Sequence, residues 1–161
     1  MPARSAPRPM PASRAGQEPL LALEEFLPYR LNRLADKVSR EFSKIYADRH
    51  GLTRPEWRTL ATLGQFGTMT ATEIGAHSSM HKTKVSRAVS ALEKRKWLAR
   101  GIDPLDRRLE HLTLTRAGHA AYRDLVPLMK AHEARLLGRA SASERQAIQN
   151  AIEVLERALK L

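Results

Sequence analysis

Three stretches of the chain carry the same four-residue punctuation: Thr53-Arg-Pro-Glu56, Thr70-Ala-Thr-Glu73 and Ser141-Ala-Ser-Glu144. In each, the hydroxyl can accept the amide of the third residue on, while the glutamate reaches back to the first amide. That reciprocal pairing starts helices, so three helix starts are set before any periodicity is considered.

Apolar spacing supplies the rest. Leu27, Leu31, Leu34, Val38, Phe42 and Ile45 recur at steps of four and three, which predicts a first helix from about Leu20 to Arg49, ended by Gly51. The capping patterns then open a second helix from about Arg54 to Gly64 and a third from about Ala71 to His77. A fourth runs from about His81 to Arg95. Lys96 to Ile102 reads as a strand, Asp103-Pro-Leu-Asp106 as a turn, and Leu109 to Leu114 as a returning strand with Leu112 and Leu114 on one face. A fifth helix spans about Arg116 to Gly138, and Ile148, Ile152, Leu155 and Leu159 stripe a terminal one. The expected fold is mainly α with a small β-hairpin.

At 161 residues the chain can bury one core without disulfide or metal staples. Cysteine is absent, which excludes thiolate zinc sites and thiol chemistry. Residues 1–19 hold five of the nine prolines and three arginines, the composition of a flexible tail, leaving 20–161 as a single domain. No run approaches the roughly 18 apolar residues of a membrane span, and the N-terminus has no apolar signal region. The expectation is a cytoplasmic protein with no membrane partner.

The formal charge of +11 calls for a polyanionic partner, and its distribution points to which. His81 to Arg108 holds nine basic and three acidic residues, net +6, while the other 133 residues carry only +5. Within that segment Val85, Ala88, Val89 and Leu92 recur at helical spacing. A membrane-adsorbing helix would present bulkier Trp, Phe or Leu on this face. A short helix, a tight turn at Ser78 and Ser79, a basic amphipathic helix and a basic-tipped hairpin form the layout of a winged helix-turn-helix, whose partner is double-stranded DNA. The apolar side fastens the helix, and His81, Lys82, Thr83, Lys84, Ser86 and Arg87 face a major groove. Lys and Arg suit guanine acceptors or phosphates there, and Ser and Thr contact either. Lys94 and Lys96 reach the backbone alone. At the hairpin tip Asp106 orients Arg108 across the turn, and Arg107 projects outward toward a minor groove.

The residues that carry this reading resemble the MarR family of bacterial transcriptional regulators. They are Lys84-Val-Ser-Arg-Ala-Val89 with Leu92-Glu93, Leu98-Ala-Arg100, Asp103-Pro-Leu-Asp-Arg-Arg108 and Leu112-Thr-Leu-Thr-Arg-Ala-Gly118. The resemblance covers roughly Leu20 to Leu161. It implies a homodimer in which 20–50 and 116–161 supply long dimerisation helices and 53–115 forms the winged DNA-binding lobe. One departure stands out: where the family commonly has glycine between the recognition helix and the next strand, this chain has Arg95-Lys96-Trp97.

Phe26-Leu-Pro-Tyr-Arg30 and Pro55-Glu-Trp-Arg58 resemble the branch that represses aromatic-acid catabolism. That implies a small aromatic carboxylate effector, a hydroxynicotinate or a hydroxycinnamate or its CoA thioester. Arg30 and Arg33 could pair with the carboxylate, Tyr29 and Trp57 could stack on the ring, and Arg58 belongs either to the pocket or to an exposed helix face. Trp57 equally suits a core or interface position. No cofactor is expected and no enzyme: His77 and His81 have metal-like spacing but fall on different helices, and Glu24, Glu25 and Glu56 sit at helix starts. The rival reading is a sequence-neutral architectural DNA-binding protein using the same charge for backbone contact alone.

Overall fold

The computed structural model describes residues 20–102 and 110–160. In chain order they form α1 (Leu27–His50), α2 (Arg54–Phe66), α3 (Ala71–Ser78), α4 (Lys82–Lys94), β1 (Leu98–Ile102), β2 (Glu110–Leu114), α5 (Arg116–Leu137) and α6 (Ala142–Leu159). The expected tail at 1–19 and the hairpin tip with Asp106, Arg107 and Arg108 lie outside the described residues. The chain divides inside α1 into two compact units, Met1–Val38 and Ser39–Leu161.

All three capping boxes form. Thr53 N–H donates to Glu56 Oε2 at 3.0 Å, Thr70 N–H to Glu73 Oε2 at 2.7 Å and Ser141 N–H to Glu144 Oε2 at 2.7 Å. The backbone donors of Thr70 and Ser141 hold the Glu73 and Glu144 carboxyls below the usual range, because each stabilises the ionised form.

The first helix begins at Leu27, not near Leu20. Pro28 is the reason. At the second helical position its missing N–H costs nothing, but a helix extended backwards would drive its ring against the carbonyl of Glu24. Ala22 to Phe26 close a turn instead, with Phe26 N–H donating to Ala22 O at 3.1 Å. Glu24 and Glu25 therefore precede the helix and do not charge its first turn.

The missing glycine after α4 is replaced without any change of motif. Lys96 N–H donates to Glu93 O at 2.7 Å and Trp97 N–H to Leu92 O at 2.9 Å, the paired bonds of a Schellman closure. Lys96 itself takes the left-handed conformation, with φ of 59°. The same closure ends α3, where Ser79 has φ of 52° and Met80 N–H donates to Gly75 O at 3.0 Å. Both helices flanking the tight turn are thus ended by an L-residue in a region that favours glycine.

In the second unit one core joins α2, α3, α4, the hairpin and α5. Leu60, Leu63, Ile74, Val85, Val89, Leu92, Leu98, Leu112, Leu114 and Leu125 are among its buried members. Strands β1 and β2 pair antiparallel with Leu98 opposite Leu114 and Arg100 opposite Leu112. Leu112 and Leu114 do share the inner face. Met69 adds a bridge to Leu112, which ties the loop before α3 to the hairpin. Gly118 at the start of α5 is a close-approach position, since a Cβ there would collide with the Trp97 carbonyl.

A Lys96→Gly variant removes a left-handed L-residue at a cost in unfolded-chain entropy. The difference should raise stability by about 0.5–1 kcal/mol, read as a higher urea midpoint at unchanged m-value.

Candidate nucleic-acid interface

The two sides of α4 are chemically opposite. Val85, Ala88, Val89 and Leu92 are at most 2% exposed, whereas Lys82, Thr83, Lys84, Ser86 and Arg87 are all exposed. Residues one helical turn apart share a face, so the burial of the apolar stripe turns the cationic one outward. His81 is exposed too, but it is the N-cap of α4: its Nδ1 accepts from Thr83 N–H at 3.4 Å. Histidine is not among the usual capping residues, and its type did not announce that role.

The hairpin is tied to α4 by a three-member ion cluster. Arg100 on β1 donates from Nε and Nη2 to the Glu93 carboxylate at 2.7 and 2.9 Å, and from Nη1 to Glu110 Oε2 at 2.6 Å. Glu93 first and Glu110 second push the Arg100 guanidinium further up, and Arg100 in turn holds Glu93 below the usual carboxylate range. The Arg100 charge is thereby compensated by two carboxylates, and the outward positive charge of this face comes from Lys82, Lys84 and Arg87. Lys94 and Lys96 are exposed at the far end.

Arg58 reaches from α2 to the turn ahead of α4. Its Nη1 donates to Ser78 O at 3.1 Å, satisfying a carbonyl at the end of α3. Trp57, beside it in sequence, is half-buried against the core and stacks on Tyr46 with ring centroids 5.7 Å apart and planes 15° from parallel. Tyr46 is 2% exposed; burial pushes its phenol up, and Arg54 and Arg58 pull it partly back. Sequence reasoning did not single out Tyr46, which reads as one more apolar-stripe position.

Within the first unit, Arg33 lies over the Tyr29 ring at 5.7 Å from its centroid. Arg30 and Arg33 are exposed, and Tyr29 is half-buried.

A further cluster joins the end of α1 to α5 in the second unit. Arg49 holds Asp124 through two hydrogen bonds of 2.8 Å, and His50 Nε2 lies 2.9 Å from Asp124 Oδ2. Arg49 is the main cause holding the Asp124 carboxyl down to about 2, with His50 assisting. His77 of α3 packs on Phe66, with ring centroids 4.2 Å apart, well separated in role from the cap at His81. Among the described residues no group of three His, Cys, Asp or Glu side chains could hold a metal ion. No described helix is long and apolar enough to cross a membrane.

The MarR family model matches residues 50–109, from the end of α1 to the returning strand. A solved MarR family transcriptional regulator from Silicibacter pomeroyi DSS is 31% identical, covering 86% of this chain and 90% of its own, with a TM-score of 0.71. The chain belongs to the MarR family. MarR proteins are transcription regulators, not enzymes. The same fold recurs at lower identity. MepR of S. aureus, solved with DNA, is 21% identical over 84% of this chain and 99% of its own, with a TM-score of 0.71. BpsR of Bordetella bronchiseptica, whose DNA binding is regulated by 6-hydroxynicotinic acid, is 24% identical over 86% and 98%, with a TM-score of 0.73. A search of curated proteins finds no significant match.

Two expectations follow. Asp124 titrates below its unfolded value, so its link contributes above about pH 4 and is lost as pH falls through about 2. NMR titration of the carboxyl should place the midpoint near 2 and, in Arg49→Gln, move it upward. Replacing Arg58 with Met should lower stability by about 1–2 kcal/mol in urea denaturation, because Ser78 O loses a charged donor.

Proposed function

We propose that two copies of this MarR-family chain form a dimer that represses an aromatic-acid catabolic pathway from a pseudo-palindromic operator. A small aromatic acid or its CoA thioester releases it. The observation that carries the DNA half is the segregation on α4: one side buried in the core, the other presenting Lys82, Thr83, Lys84, Ser86 and Arg87 to solvent. In this reading those residues and His81 meet base edges and phosphates of a major groove, while at the hairpin tip Asp106 orients Arg108 across the turn and Arg107 projects toward the flanking minor groove.

The dimer is supported by apolar surface with no cover in one chain. In α6 no residue is buried, and Ile148, Ile152, Val154 and Leu159 are among its exposed large side chains. Leu27, Leu31 and Leu34 of α1 are exposed as well. Exposed apolar stripes of this kind mark an interface, and a two-fold dimer would set two reading helices about one helical turn apart, roughly 10 bp.

The effector class rests on aromatic and guanidinium groups, Tyr29, Arg30 and Arg33 on α1 with Trp57 and Arg58 on α2, and on the likeness to BpsR. In this reading Trp57 supplies the ring on which the effector stacks. A carboxylate competing for Arg58 would take the donor from Ser78 O, just ahead of α4, which couples occupancy to the reading helix.

The test is a mobility titration of the protein on its own upstream region against random duplex. Preference of roughly 10³ or more at equal salt is expected, while equal affinity would leave a sequence-neutral architectural protein. Arg87→Ala should cost on the order of 10–100-fold in operator affinity with the dimer intact. Release by 6-hydroxynicotinate, 4-hydroxycinnamate or its CoA thioester is expected; indifference to all three sinks the effector half.

A further inference from the structure

We infer that Arg95 is a positioning residue that sets the distance between the two reading helices of the dimer, an inference that rests on the dimeric operator binding proposed above. Arg95 is the C-cap of α4 and its own N–H donates to Ala91 O at 3.2 Å. Its guanidinium leaves α4 altogether. Nη1 donates to His50 O at 2.8 Å and Nη2 to Gly51 O at 2.9 Å, spanning two carbonyls at the C-terminal end of α1. Those carbonyls lack helical partners and carry the negative end of the helix dipole. A guanidinium fork matches two adjacent acceptors in a way an ammonium cannot.

The same side chain is braced on the hairpin side. Its Cζ lies 5.3 Å from the centroid of Trp97, whose ring meets His50 edge-on at 5.4 Å and 90°. His50 also contacts Asp124 on α5, which Arg49 grips with two bonds. Trp97 O accepts Thr115 N–H at 2.9 Å, and Thr115 Oγ1 donates to Lys96 O at 2.7 Å. The end of α1, the end of α4, the lead into β1 and the start of α5 are therefore joined at one point, and Arg95 is the member that connects the reading helix to α1.

The consequence is geometric. Helix α4 has 13 residues, about 20 Å, so a small rotation at its C-terminus moves the groove-facing residues by ångströms. One added base pair shifts a half-site by about 3.4 Å along the duplex and about 34° around it. A joint that holds α4 against α1 makes the dimer intolerant of that change. Loosening it costs discrimination between spacings before it costs DNA contact.

The experiment starts from a random duplex library, from which the full-length protein selects its site. Affinities are then measured for that site and for versions with one base pair inserted or removed at the centre, with wild type, Arg95→Lys and Arg95→Gln. Wild type should lose on the order of 10²-fold on either altered spacing, comparable to the loss that one mismatched base pair causes. Arg95→Gln should narrow this loss below about tenfold, and Arg95→Lys should fall between. The dimer mass and the slope of log affinity against log salt should stay as in wild type, and the thermal midpoint should fall by only a few degrees. A salt slope reduced by about one in Arg95→Gln, with spacing discrimination intact, identifies a phosphate contact and overturns the inference. So does unchanged discrimination in both variants. A selection that yields no spaced pair of half-sites instead removes the operator reading itself, and this inference with it.

Discussion

The interaction on which the rest depends is the burial of Val85, Val89 and Leu92 beneath α4. Each large side chain removed from water contributes roughly 1.5–3 kcal/mol, an upper estimate given a compact unfolded chain. The opposing cost is steeper: Lys82, Lys84 or Arg87 turned inward would each need a partner that the surrounding leucines cannot supply. The helix consequently has one way to lie. Its charge faces out because its underside is apolar, and the accumulated repulsion on the outer face is relieved when a polyanion binds.

Around that helix the chain accepts local strain to hold angles. Ser79 and Lys96, on either side of α4, adopt left-handed backbone that L-residues disfavour. In return α3 and α4 each end in a closure that satisfies carbonyls of the last turn. Two guanidinium groups reinforce the same ends: Arg58 supports the Ser78 carbonyl before the helix and Arg95 leaves its last turn for α1. The Arg100 cluster adds the hairpin to this frame through Glu93. The cationic face of α4 is thus held by separate elements, each tied by charged hydrogen bonds to backbone or carboxylate.

Much of the fold was legible because its signals are short-range. Capping boxes, the stripes on α4 and α6 and the inward pair Leu112 and Leu114 all follow from residues within a few positions of one another. The start of α1 was misread because a leucine-rich stretch continued the periodicity past Pro28, and a proline ring outranks a hydrophobic stripe. At the interface the exposed cationic residues of α4 were legible from the same periodicity. Arg58 illustrates the opposite case: its sequence neighbourhood suggested ligand or solvent, and its partner in the structure is a carbonyl 20 residues away.

What the amino-acid order determined alone is where helices begin, which side of each is apolar, and that the positive charge gathers on one segment. These depend on contacts between residues about four apart or fewer, which are present as soon as a turn forms. Only the tertiary structure decided that Lys96 would stand in for a glycine, that Arg95 would cross 45 residues to the end of α1, and that Asp124 would be gripped by Arg49 from 75 residues away. Such pairings require several packed elements to meet, and no local pattern of residue types encodes which carbonyl or carboxylate a flexible guanidinium will find.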